Sequence, residues 1–117
     1  MGRLTTHVLD TAHGCPAAGL TIELRRPTPQ GIEHLLETTT NADGRCDGPL
    51  LDGPAFRSGV YELVFRVGAY FRAKNTASEE PAFLDEVVIR FGVSSPEQHY
   101  HVPLLVSPYG YTTYRGS

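Results

Sequence analysis

At 117 residues the chain has room for one domain, and surface scaling has roughly two-thirds of its unfolded area buried, enough for a core without staples. Hydrophobic residues at 40% and charged residues at 20% exclude a disordered tail or a coiled coil. A net charge of −3 argues against a nucleic-acid partner, which calls for a basic face. No stretch approaches the roughly 18 apolar residues of a membrane span. The first residues, Met1 to Leu9, lack a basic head followed by an apolar run, so no signal peptide and a cytoplasmic location are expected. Cys15 and Cys46 are too few for a disulfide framework and are expected to be free thiols.

Period-2 alternation dominates. Leu4, Thr6 and Val8 share one face of a first strand, with Thr5, His7 and Leu9 on the other. A turn cluster with Gly14 and Pro16 leads to a second strand, where Ile22 and Leu24 alternate with Glu23 and Arg25 until Pro27 and Pro29 stop it. Residues 32–40 give a third strand, and Asn41-Ala42-Asp43-Gly44 is a strong turn signal. A short strand is expected near Leu50. The segment Val60 to Gly68 alternates, with Tyr61, Leu63, Phe65 and Val67 on one face. Thr76-Ala77-Ser78-Glu79 has capping-box form, which predicts about one helical turn there. Val87, Ile89 and Phe91 supply a further inward face, and two strands at His99 to Val106 and Tyr109 to Arg115 close the chain. Short strands with a turn signal every 8–12 residues predict an all-β, antiparallel β-sandwich of about eight strands with at most one short helix, in a single domain over 1–117.

Histidine is the side chain that titrates near neutral pH unperturbed. His13 and His34 have no chemical company in the sequence and are expected to be solvated. His99 and His101, two residues apart in a strand, project from one face about 6.6 Å apart. The opposite face, Tyr100, Val102, Leu104 and Val106, is the continuous apolar stripe expected in the core, so both imidazoles point away from it. His7 has the same geometry. Three arrangements fit: exposed histidines on a sheet surface, a three-histidine zinc sphere, or metal-free acid–base catalysis in which imidazoles share a water. Arg45, just after the turn, has the planar fork that binds a flat anionic substrate. The tail Tyr111-Thr112-Thr113-Tyr114-Arg115-Gly116-Ser117 keeps alternating to its last residue, which suggests a docked end.

The segments His7-Val8-Leu9-Asp10-Thr11, Thr40-Asn41-Ala42-Asp43-Gly44-Arg45, His99-Tyr100-His101-Val102-Pro103-Leu104-Leu105 and Tyr114-Arg115-Gly116-Ser117 together resemble the 5-hydroxyisourate hydrolases, transthyretin-related enzymes of urate degradation. The resemblance covers essentially the whole chain. It implies a transthyretin-like sandwich of eight strands, assembled as a homotetramer (a dimer of dimers) with sites in the channel between dimers. It also implies a purine-derived small-molecule substrate, no nucleic-acid or membrane partner, and no cofactor or metal. The reaction implied opens the six-membered ring of 5-hydroxyisourate. Carried over by motif, His7, His101 and Arg45 are the catalytic positions, and His7, Arg45, Tyr114 and Ser117 the substrate-binding ones. His99 is expected to line the channel. Hormone-carrying transthyretins share the strand start but lack the catalytic His and Arg residues and the Tyr-Arg-Gly-Ser ending.

Overall fold

A computed structural model describes residues 1–76 and 79–116. Its elements in chain order are β1 (Arg3–Asp10), β2 (Cys15–Pro16), β3 (Thr21–Thr28), β4 (Gly31–Thr39), β5 (Leu51–Asp52), β6 (Gly59–Phe65), α1 (Val67–Ala73), β7 (Val87–Val93), β8 (Tyr100–Ser107) and β9 (Gly110–Thr113). One sheet runs β2-β1-β8-β9, with the two-residue β5 also on β1; the other runs β4-β3-β6-β7. All pairings are antiparallel except β1 with β8, which run side by side in the same direction.

Alternation decides which residues meet between the sheets. Leu4, Val8, Tyr100, Val102, Leu104 and Val106 from one sheet and Ile22, Leu24, Tyr61, Leu63, Phe65, Val87 and Ile89 from the other fill a single buried cluster. Truncating one of its large side chains, Phe65 for example, carries a cost of about 3–5 kcal/mol through lost burial and the cavity left behind. The partners of these residues on β1 and β8, namely Thr5, His7 and His101, stand on the outer face of their sheet at intermediate exposure. The outer face of the other sheet is ionic instead. Glu62, itself buried, accepts hydrogen bonds from Arg25 at 2.7 Å and Arg90 at 2.8 Å.

The structure departs from the sequence expectations in three places. The helix lies at Val67–Ala73, before the capping-box segment, of which Ala77 and Ser78 lie outside the described residues. Val67, Tyr70 and Phe71 are its buried side chains, the i, i+3, i+4 set of a helical face. Strand β3 does not stop at Pro27 but pairs on to Thr28. Its other neighbour, β6, reaches only as far as Arg25, so no ladder bond is asked of the proline on that side. Nor are His13 and His34 merely solvated. His34 Nδ1 is hydrogen-bonded to the buried Glu23. His13 Nδ1 lies 2.6 Å from Oδ2 of Asp10, whose carboxylate is buried and also accepts a 2.8 Å bond from the Tyr70 hydroxyl. Burial alone would push the Asp10 carboxyl up, but the bonds from Tyr70 and His13 outweigh it and hold it below the ordinary value. That cluster locks the end of β1 to α1. Among the described residues no helix is long and apolar enough to cross a membrane, and both cysteines are free.

Candidate active site

The site grows from the middle of the β1–β8 pair. Parallel register sets Thr5 beside His101 and His7 beside Pro103. The third component comes from the turn that follows β4. Asn41 holds that turn together: its side-chain oxygen accepts from the backbone N–H of Asp43 at 2.9 Å and of Arg45 at 3.2 Å, and its own N–H donates to the Arg45 carbonyl at 2.7 Å. Gly44 sits at φ +73°, and a Cβ there would lie 2.4 Å from the Val8 carbonyl. Only glycine lets the turn press this closely onto β1. The Val8 N–H donates to the Gly44 carbonyl at 2.8 Å, and a backbone bridge links His7 with Arg45. The Asn-Ala-Asp-Gly-Arg sequence is thus the device that brings the backbone of Arg45 against that of His7.

Each imidazole has a defined partner. His7 Nε2 donates to the Asp43 carbonyl at 2.9 Å, which leaves Nδ1 as the lone-pair nitrogen of the neutral ring. His101 Nδ1 lies 2.9 Å from the Thr5 hydroxyl oxygen; when Nδ1–H donates there, Nε2 is free to take a proton. Burial, then the charges of Arg45 and His7, push the His101 pKa below the ordinary 6.5. His101 is therefore neutral at pH 7, with a lone pair to offer.

Arg3, Thr5, Arg45, Cys46, His99 and His101 line a cavity of about 430 Å³ on this face. No carboxylate side chain is among its described lining residues, so the guanidinium groups on its wall favour an electron-rich guest. Burial, with the nearby charge of Asp47, keeps the Cys46 thiol above its ordinary pKa and hence protonated. Among the described residues no three His, Cys, Asp or Glu side chains converge as metal ligands, so His7, His99 and His101 do not form the three-histidine sphere that their spacing allowed.

The sequence-predicted residues divide accordingly. Arg45, His99 and His101 line one cavity, whereas His7, bridged to Arg45 through the backbone, is not among its lining residues, although its charge acts on His101. Tyr114 is 58% exposed and lines a separate groove along β7, β8 and β9. Ser117 lies outside the described residues. The docked tail is real up to Gly116, whose N–H donates to the His101 carbonyl at 2.7 Å. Thr5 is the residue that the sequence reading passed over. Its place on the same outer face as His7, one register step away, was the available signal.

Two packed sheets with imidazoles and a guanidinium lining one outer-face cavity make a β-sandwich with a polar site for a small molecule. The chain belongs to the HIUase/Transthyretin family, whose model matches residues 4–116. It is 62% identical to a Pseudomonas aeruginosa protein named 5-hydroxyisourate hydrolase, over 100% of this chain and 93% of that one. Among solved structures, an (S)-allantoin synthase matches with a TM-score of 0.93 and 49% identity over 99% of this chain, which spans only 44% of that longer one. Sea bream transthyretin in complex with thyroxine matches with a TM-score of 0.86 at 27% identity, over 97% of this chain and 94% of the transthyretin.

Proposed function

We propose that the chain hydrolyses 5-hydroxyisourate to 2-oxo-4-hydroxy-4-carboxy-5-ureidoimidazoline in urate degradation, without a metal, as one domain over residues 1–117. The observation that carries this reading is one acid-free cavity lined by Arg45 and His101, with His7 bridged to Arg45 through the backbone. The naming of the 62% identical relative supports the substrate. In the reaction, His101 Nε2 takes a proton from water as the oxygen adds to a ring carbonyl. Arg45 holds the flat heterocycle and offsets the charge that develops on the carbonyl oxygen. As the carbon–nitrogen bond breaks, a protonated imidazole returns the proton to the leaving nitrogen, and the carbonyl carbon becomes a carboxylic acid that releases its remaining proton to solvent. His7, whose backbone is bridged to Arg45 and whose charge acts on His101, serves the proton shuttle. Fresh 5-hydroxyisourate should lose its ultraviolet absorbance faster with the protein than by spontaneous decay. A chain that binds the compound without hastening its loss would be a carrier, and the proposal would fall.

A cavity open to bulk water does little to strengthen its electrostatics, and a facing copy of the same outer face would wall it. The same arrangement is what would bring the exposed Tyr114 and the Ser117 end against the substrate. A dimer of dimers satisfies closed symmetry, so light scattering should give about four times 12.8 kDa. A fully active monomer at nanomolar concentration would contradict it.

Arg45→Lys is expected to lower kcat/KM by about 10- to 100-fold, since a bidentate, charge-assisted contact is replaced by a point charge. Steady-state kinetics check this, and an unchanged kcat/KM would reduce Arg45 to a solvated turn residue.

A further inference from the structure

Of the tail tetrapeptide, the proposed reaction uses Tyr114 and Ser117 and leaves the two residues between them without a task. The structure gives both a definite place. The guanidinium carbon of Arg115 lies 3.9 Å from the centre of the Tyr100 ring, within cation–π range. Its Nη2 donates to Gln98 Oε1 at 3.0 Å. Tyr100 is a firm platform: it is only 4% exposed, packs edge-on against Phe56 at 5.7 Å, and its hydroxyl accepts from the backbone of Ser94 and Ser95. Arg115 thus fixes the height of the tail relative to β8, and the next residue crosses His101. There Gly116 and His101 exchange backbone hydrogen bonds. A Cβ on Gly116 would lie 2.9 Å from His101 Cδ2 and 3.2 Å from its Cβ. A methyl group there would push on the ring, so that either the imidazole or the tail must shift.

The imidazole of His101 is therefore held from two sides. Thr5 on β1 takes Nδ1, and on the other flank of β8 the bare backbone of Gly116 backs the carbon edge. We propose that Arg115 and Gly116 are positioning residues for His101, the arginine pinning the tail on Tyr100 so that the glycine backbone shuts the imidazole against Thr5. This rests on the reading of His101 as the proton-transferring group. Neither residue needs to touch substrate. Their effect reaches the reaction through the angle of one ring and through the water they keep from its edge.

The test is Arg115→Met, Arg115→Lys and Gly116→Ala, each compared with the parent chain for turnover, melting temperature and the titration of His101 followed by histidine-selective NMR. Arg115→Met and Gly116→Ala should lower kcat by about 10- to 100-fold, as misplacement of a reacting group by a fraction of an ångström to an ångström does, with KM held within about twofold. The melting temperature should move little, because the tail lies outside the buried cluster. Loosening the tail admits water to the ring, so His101 should titrate at higher pH than in the parent chain. Arg3, Arg45 and His99 on the cavity wall, and His7 on β1, face the same ring and are unchanged in every variant. Arg115→Lys retains a cation over Tyr100 but not the fork, and should recover part of the lost turnover. Parental kcat together with an unmoved His101 titration in both Arg115→Met and Gly116→Ala would overturn the proposal. So would a rise in KM at constant kcat for Arg115→Met, which would place the arginine on the substrate. The NMR titration does not depend on turnover, so a parent chain inactive on 5-hydroxyisourate would sink the functional reading while the positioning of His101 was still measured.

Discussion

His101→Asn should leave a folded chain whose kcat for 5-hydroxyisourate is down by at least about 100-fold, the lower bound for removing a general acid–base group. Asn keeps a polar side chain in the space between Thr5 and Gly116 but has no nitrogen that exchanges a proton near pH 7. In the parent chain the acid limb of the kcat profile should lie below the ordinary histidine value of 6.5. Burial and the charges of Arg45 and His7 push the His101 pKa down, so the lone pair survives to lower pH and is lost only when protonation finally sets in. In the variant that limb should disappear. Stopped-flow absorbance across pH 5–8 reads both effects, with circular dichroism to check folding. Turnover near the parental rate would remove His101 from the mechanism.

Much of that argument is legible in residue order. Alternation in Leu4–Asp10 and Tyr100–Ser107 puts His7 and His101 off the core whatever the topology, because a strand has only two faces. The Asn41–Gly44 turn announces itself through glycine and Asx chemistry, and Arg45 is its next residue. The helix was obscured because Val67 extends the alternation of β6, so the strand pattern masked the spacing of Tyr70 and Phe71. His13 hid a partner three residues upstream, since both lie in the turn cluster and no local pattern shows that the turn folds the ring back onto Asp10. The place of Thr5 depends on β1 and β8 being neighbours and parallel, a long-range fact that no local pattern carries. Tyr114 depends on something further, because in the isolated chain it faces a groove of its own.

Ending the chain at Thr113 should abolish most of the activity, by roughly 100-fold or more, while costing only a few degrees of melting temperature. Strand β9 ends at Thr113, so the sheet is complete without the tail, and the buried cluster draws no side chain from beyond Val106. What goes is the bridge from Gly116 to His101, the Arg115 anchor on Tyr100 and the Tyr114 hydroxyl. A frayed, inert end would make the deletion silent. A short C-terminal tag offers the converse test: extra residues leave every tail contact available but crowd the mouth of the site, and turnover should again fall with stability kept. If the truncated chain turned over at the parental rate, Tyr114 and Ser117 would have no place in the site.

The parallel pairing of β1 with β8 also governs when the site can exist at all. Thr5 and His101 are 96 residues apart in the chain, and closing a loop of that length carries a length-dependent entropy cost of about 4 kcal/mol. On a ribosome, β1 emerges first and its lasting neighbour nearly last. Through most of synthesis the apolar stripe of Leu4 and Val8 waits with one edge unpaired, while β3, β4 and β6 can already zip into their own antiparallel sheet. Folding dominated by such distant pairings is slow, and an unpaired apolar edge is the kind that finds other chains. The Thr5–His101 contact is thus a product of completion. A nascent or prematurely ended chain lacks the strand that holds His101, and the proposed site appears together with the sheet that makes the protein stable.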